Sequence, residues 1–268
     1  MEETGILKKM RVEWPGPDEK VRYFLPLETG EVFMNDLTGH RITLSFDHEI
    51  HCIHCGRPIK KTYAQGYCYP CFIKLPETDT CIIHPEKCQA HLGISRDMEW
   101  SKQHCLQEHF VYLAVTSGLK VGVTRAAQVP VRWIDQGAVR ALRIARTPNR
   151  YLAGTIEVFL KGHLADKTNW RNMLTSEEHE QIDLLAEKEH LRPFLEKDFR
   201  DFLFEDPQIT TIQYPVLSYP EKIRSVSLDK QDTIRGVLEG IKGQYLIFDT
   251  GEVINIRKHG GYVITLSA

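Results

Sequence analysis

No stretch of this sequence approaches the ~18 consecutive apolar residues that a membrane-spanning helix requires. The N-terminus, Met1-Glu2-Glu3-Thr4-Gly5-Ile6, lacks the basic flank and apolar core of an export signal. Cysteine is missing before Cys52 and after Cys105, so all seven cysteines share one stretch. The His-Glu-x-x-His pattern of hydrolytic zinc sites is also lacking. These absences predict a cytoplasmic protein without membrane association. In a reducing compartment, clustered thiols favour metal over disulfide.

The 268 residues are 42% apolar and 26% charged, ordinary for a globular chain with room for one large domain or two to three small ones. A net charge of −2 hides an uneven distribution. Residues 119–150 hold seven basic side chains against Asp135 alone, whereas residues 176–206 hold eleven acidic and four basic ones. The first stretch can face phosphate; alternatively the two stretches face each other.

The pattern predicts an α+β protein. Residues 1–50 read as the N-terminal part of a β domain, with strands at Val32–Met34 and Arg41–Ser45. Residues 51–108 form a cysteine-rich zinc-binding region, 109–175 an α/β segment, 176–206 an acidic helical segment and 207–268 the C-terminal β part. In the last part Tyr245–Phe248 and Tyr262–Leu266 read as strands. The ends echo each other: Glu28-Thr-Gly-Glu-Val returns as Asp249-Thr-Gly-Glu-Val, and Ile42-Thr-Leu-Ser as Ile264-Thr-Leu-Ser. That echo predicts that the termini pack together as one discontinuous β domain. A helix is expected around Ser176–His190, burying Ile182, Leu184, Leu185 and Leu191 and interrupted by Pro193.

Cys52-x2-Cys55, twelve residues, then Cys68-x2-Cys71 is close to zinc-ribbon spacing. Two residues between paired cysteines let both sulfurs reach one ion. Four thiolates select zinc or iron, and nothing suggests redox chemistry, so zinc is preferred. Cys81, His84, Cys88, His91 and Cys105, with His104 nearby, offer a second site. One or two structural zinc ions are therefore expected. Tyr63, Tyr67, Tyr69 and Phe72, interleaved with Lys60, Lys61 and Lys74, can stack bases and touch phosphates, or simply form the module's small core.

Residues 110–124 read as a hairpin turning near Thr116–Gly118, residues 130–136 as a short helix and 141–146 as a third strand. A helix over about 152–165 aligns Leu152, Ile156, Leu160 and Leu164, with Glu157 and Lys161 beside them. The order is ββαβα, with Tyr112, Lys120, Arg132 and Glu157 each on a different element. In this order the segment resembles the GIY-YIG nuclease superfamily. Phe110-Val-Tyr112 stands for the first motif, and Lys120-Val-Gly122-Val-Thr124 for the second. Arg132 and Glu157 stand for the arginine and glutamate. Lys120 replaces the usual second tyrosine, as in a phage-type branch that carries Lys-Ile-Gly there. The resemblance implies a glutamate that binds Mg²⁺ or Mn²⁺, an arginine on the phosphate and a tyrosine that helps to activate water. Over nearly its whole length the chain also resembles a family known as the domain of unknown function numbered 2797. Gln65-Gly-Tyr-Cys-Tyr-Pro-Cys, Leu119-Lys-Val-Gly-Val-Thr-Arg, Arg132-Trp-Ile-Asp-Gln-Gly-Ala and Asp166-Lys-Thr-Asn-Trp carry that likeness.

Two function classes follow. One is a metal-dependent phosphodiester hydrolase with Tyr112, Lys120, Arg132 and Glu157 as its catalytic set. The other is a protein that binds DNA or RNA, or a protein partner, without cleavage. In both nucleic-acid readings Lys120, Arg125, Arg132, Arg140 and Arg143 meet the phosphates.

Overall fold

The computed structural model describes residues 1–27, 30–164, 169–175 and 182–268. The N-terminal part forms β1 (Glu2–Ile6), β2 (Arg11–Glu13), β3 (Arg22–Leu27), β4 (Gly30–Phe33) and β5 (Arg41–Ile50). Two short helices, α1 (Tyr69–Lys74) and α2 (Met98–His104), punctuate the cysteine region. The middle of the chain supplies β6 (His109–Val115), β7 (Leu119–Arg125), α3 (Val131–Asp135), β8 (Arg140–Thr147), α4 (Arg150–Lys161) and α5 (Trp170–Met173). After α6 (Leu184–Asp198) come β9 (Ile209–Thr211), β10 (Arg224–Ser225) and β11 (Thr233–Lys242). The chain ends with β12 (Tyr245–Phe248), β13 (Glu252–Asn255) and β14 (Tyr262–Ser267).

Among the described residues the result is mixed α+β with three sheets. The largest runs β1-β14-β5-β11-β12-β13-β10, so strands from the two ends alternate over its first four positions. Ile42, Leu44, Ile264 and Leu266 alternate with more exposed residues and are fully buried, the period-two pattern of a sheet covered on one face. β14 lies antiparallel between β1 and β5, with Leu266 opposite Leu44 and Glu3 opposite Leu266 on the other side. The echoed sequences occupy matching positions. In each, a strand pair is followed by a 3₁₀ turn (Met34–Leu37 or Ile256–His259) and then by a long strand, β5 or β14. Glu28 and Thr29, part of the first copy, lie outside the described residues. β2-β3-β4 form a separate sheet.

The third sheet is ordered β7-β6-β8-β9. Every residue of β6 is buried, because both faces of this strand are covered. Tyr112 and Ala114 join the core shared with the terminal sheet, whereas Val111, Leu113 and Val115 pack with Ile156 and Leu160 of α4 and with Leu184, Leu191 and Leu195 of α6. The hairpin turn and the ββαβα order fall where the sequence places them. α6 departs from expectation: it begins at an Asp183 cap, and Pro193 lies inside it. The missing proline N–H costs one bond to the carbonyl four residues earlier, while burial of Leu191 and Leu195 on either side holds the helix together. Leu185 faces outward rather than inward. The helix expected over about 152–165 instead runs Arg150–Lys161 and is capped at Gly162. The expected helix start at Ser176 and Asp166–Thr168 lie outside the described residues.

Candidate metal centres and an arginine-lined pocket

The first cysteine cluster is built from two tight turns. Gly56 N–H returns to the Cys52 carbonyl at 2.9 Å, and Cys52 N–H donates to the Arg57 carbonyl at 3.0 Å. On the opposite side, Tyr63 and Tyr67 exchange backbone hydrogen bonds of 2.8 and 2.9 Å, bringing Cys68 to the start of α1. The sulfurs of Cys52, Cys55, Cys68 and Cys71 all lie within 4.8 Å of one another. Cys55 and Cys68 sulfurs are 3.8 Å apart, close to the edge of a tetrahedron with metal–sulfur bonds of about 2.3 Å. Cys68 N–H donates to Cys52 Sγ at 3.2 Å, and Arg57 Nε donates to Cys55 Sγ at 3.2 Å, so positive dipole and charge meet sulfurs that metal binding would leave anionic. This donor set can hold zinc.

A second cluster gathers Cys81, Cys88 and Cys105, all buried, with sulfurs within the same 4.8 Å. Asp79 fixes Cys81 by accepting its N–H at 3.0 Å, and is held in turn by Arg96 at 3.0 Å. These three thiols can also hold zinc. The expected histidine ligands are not part of the group. His84 is half-exposed and pairs with Glu86 at 3.3 Å. The His91 ring stacks on Tyr151 at 4.4 Å, and His104 stacks on Trp100 at 4.0 Å while bonding its carbonyl. Ring stacking and a nearby carboxylate hold these side chains elsewhere.

Both cysteine modules are locked to the rest of the fold by close backbone contact. A side chain at Gly154 of α4 would collide with the backbone of Pro85 and Glu86, so only glycine lets the second module lie flat on that helix. Arg150, at the start of α4, donates to the carbonyls of Cys81 (3.2 Å) and His104 (3.4 Å). The first module meets the turn before β14. His51 N–H donates to the Gly261 carbonyl at 2.7 Å, and a side chain at Gly261 would strike the His51 carbonyl.

Of the expected catalytic residues, Tyr112 is fully buried and donates from its hydroxyl to Gln136 Oε1 at 2.8 Å. Its ring fills the space a side chain at Gly122 would need, with a would-be contact of 2.6 Å, so the Lys-Val-Gly stretch of β7 has a packing reason for its glycine. Burial pushes the Tyr112 hydroxyl up to about 12, against the nearby Arg132 guanidinium, so it stays a phenol at neutral pH. Glu157 is mostly buried on α4 and pairs with Lys161 at 3.2 Å. Lys120 lines a separate cavity of about 260 Å³ with Gln136, Asn255, Trp170 and Arg257. The expected phosphate contacts divide. Arg143 pairs with Asp206 at 2.5 Å and lies over Phe110 and Phe204, so here the basic and acidic stretches do face each other. Arg140 is half-buried on β8 opposite Thr211 and does not line the arginine cavity.

Arg125 and Arg132 instead meet Arg150 and Arg257 around a cavity of about 320 Å³, flanked by His104 and His109. Among the described residues none of these four arginines has a carboxylate within 4 Å, and Glu77 is the one acid in the lining. Burial lowers the pKa of Arg125, with Arg150 adding to the effect, and burial also lowers that of Arg257, where the Asp135 carboxylate opposes the shift and Arg132 reinforces it. His109 donates from Nδ1 to the Gln107 carbonyl at 2.7 Å. Burial holds its imidazole down at about 4, and Arg150 and Arg125 reinforce the depression, so the ring is neutral. Arg257 and His109 carry no signal in the sequence: Arg257 follows a β hairpin, and no spacing links it to Arg132, 125 positions earlier.

The family described as protein of unknown function (DUF2797) matches residues 39–264. The chain belongs to this family. No curated protein and no solved structure gives a significant match. The stretch shared with DUF2797 contains both cysteine clusters and all four pocket arginines, but not β1 to β4. Among the described residues no helix is long and apolar enough to cross a membrane.

Proposed function

We propose that this chain is a zinc-containing nucleic-acid-binding protein, and that its arginine pocket receives phosphate. The carrying observation is the set of four arginines around one cavity with no carboxylate partner among the described residues. Like charges brought together in a partly buried space repel and lose hydration, and an anionic ligand with several acceptor oxygens relieves both costs. The ββαβα order supports the same reading through its likeness to GIY-YIG domains. In this reading residues 51–108 act as two metal-stabilised clamps on the pocket rather than as a site of chemistry.

A second reading adds cleavage. It is favoured by one arrangement: the charges of Arg132 and Glu157 both act on the Tyr112 hydroxyl, so three elements converge. Glu157 would then supply a carboxylate to Mg²⁺ or Mn²⁺, and Arg132 would steady the phosphate. The buried, protonated Tyr112 would orient a bound group rather than abstract a proton.

Anisotropy titrations of single- and double-stranded DNA and RNA over a salt series test binding, and gels of the same mixtures with Mg²⁺ or Mn²⁺ test cleavage. Arg132→Ala should weaken binding and reduce the salt slope by about one phosphate's share. Glu157→Gln should abolish cleavage and leave affinity unchanged or slightly higher. No binding at low salt by any of the four substrates refutes the proposal; binding without cleavage retains it and removes the second reading.

A further inference from the structure

The arginine cavity has a neighbour of different chemistry. Arg257 lines both the 320 Å³ cavity and the 260 Å³ one that holds Lys120. A second link is α3 and its cap: Arg132 lines the first cavity, and Gln136, one helical turn or about 6 Å further on, lines the second. The first cavity is dominated by guanidinium groups. The second is lined by amides, by Lys120, by the Asp135 carboxylate (which is paired with Lys9 and accepts from Gln244) and by a parallel aromatic pair, Trp170 and Tyr245, with rings 5.4 Å apart at an interplanar angle of 8°.

The amides are oriented by the protein. Gln136 accepts the Tyr112 hydroxyl through Oε1, and Asn255 accepts the Lys258 N–H through Oδ1. Fixing each oxygen in this way commits each NH2 group to donate elsewhere, and both side chains line the cavity. Two fixed donors beside an aromatic stack suit a planar heterocycle with carbonyl or ring-nitrogen acceptors. The charge of the first cavity argues for the state of the phosphate. A diester carries one negative charge, whereas a terminal monoester carries nearly two and presents three acceptor oxygens. Four arginines without carboxylate partners, one of them (Arg150) only 9% exposed, fit the more highly charged group in a recess.

We propose that the two cavities together bind one nucleotide unit bearing a terminal phosphate monoester. The phosphate lies among Arg132, Arg150 and Arg257, and the base meets Gln136, Asn255 and the Trp170–Tyr245 pair. This inference rests on the phosphate-binding reading above and narrows it from nucleic acid in general to a phosphorylated end or a free nucleotide. One turn of α3 separates the phosphate and base contacts, a spacing that a single sugar can bridge.

The test compares one single-stranded oligonucleotide in four forms: 5′-phosphate, 3′-phosphate, both ends hydroxyl, and an internal abasic control with hydroxyl ends. Calorimetry on the intact, zinc-replete protein adds the four nucleoside monophosphates, their nucleosides and inorganic phosphate. One phosphorylated form should bind roughly tenfold or more tightly than the hydroxyl form, the yield of one added charge-assisted contact. Matching monophosphates should outcompete both nucleosides and inorganic phosphate. If monophosphates bind but phosphorylated strands gain nothing, the source is a free nucleotide; a gain confined to strands identifies an end. Arg257→Gln should erase the discrimination, while Trp170→Ala should weaken monophosphates and leave inorganic phosphate unchanged. Equal binding of all four oligonucleotides, with no binding of monophosphates, overturns this inference and leaves general nucleic-acid binding intact. No binding by any ligand overturns both.

Discussion

Arg150 donates its guanidinium to the backbone carbonyl of Cys81, 69 residues earlier, at 3.2 Å. The same side chain lines the arginine pocket. A residue of the second cysteine cluster thus holds a wall of the candidate binding site through its main chain. On the other side, the backbone flanking the first cluster packs on the turn that carries Arg257, through the His51–Gly261 hydrogen bond. Cysteine modules, scaffold and pocket are therefore mechanically joined.

Metal removal should accordingly disturb the pocket and not the cysteine modules alone. Structural zinc contributes ~10 kcal/mol or more to small thiolate modules. Cys55→Ser or Cys68→Ser should lower zinc by one equivalent and unfold residues near 52–71. Hydrogen exchange should then also rise at the 256–261 turn that carries Arg257. Zinc analysis of wild type should give two equivalents per chain. Unchanged exchange at that turn in a Cys68→Ser protein would separate the first cluster from the pocket.

Gly154→Ala tests the second clamp. Alanine favours a helix over glycine by about 1 kcal/mol, so propensity alone predicts a gain. The methyl group would instead meet the backbone of Pro85 and Glu86, which cannot rotate away. Overpacking of this kind costs about 1–3 kcal/mol, so the expected outcome is a net loss in urea unfolding with weaker retention of the second zinc. A more stable protein would mean that the module does not lie on α4.

His109 gives the fold an acid-side liability. Its imidazole is held near 4, below the 6.5 of an exposed histidine, by burial and by Arg150 and Arg125. Between those values the unfolded chain takes up a proton that the folded one does not, so stability rises with pH there. The contribution is complete above about 6.5 and declines as pH falls towards 4. Between pH 7.5 and 5 the loss amounts to about 2 kcal/mol from this group. Wild type and His109→Asn should therefore differ less in unfolding free energy at pH 5 than at pH 7.5. A difference independent of pH would place a charged or exposed imidazole at this position.

Truncation addresses the joined ends. β1 pairs with β14 and is an edge of the large sheet. Removal of residues 262–268 leaves β1 without a partner and exposes a flank of β5. Amide exchange in β1 should become fast, with slower loss along β5. Retained protection in β1 would show that it is held by packing without strand pairing.

Local pattern made much of this molecule legible. Paired cysteines two residues apart specify their own knuckle, because the thiol geometry is set within a few bonds, and all four of the first group converge. Alternating apolar residues in β5 and β14, and a near-continuous apolar run in β6, mark buried strands, and the order β6-β7-α3-β8-α4 follows from periodicity and turn residues. The echo of Ile42-Thr-Leu-Ser in Ile264-Thr-Leu-Ser points to strands that prove to be direct neighbours. Longer-range choices were not written in any local spacing. That all three thiols of the second group converge is set by the fold; His91 stays out because it stacks on Tyr151, 60 positions later, while His84 is held by the local carboxylate of Glu86. Arg143 and Arg132 look alike in the sequence, yet one is neutralised by Asp206 and the other faces a cavity. That difference comes from α6 and β9 closing over β8, and from the turn at Arg257 closing beside α3. Residue type and spacing determined the chemistry available to this chain; only packing of distant segments decided which charges are paired and which remain to meet a ligand.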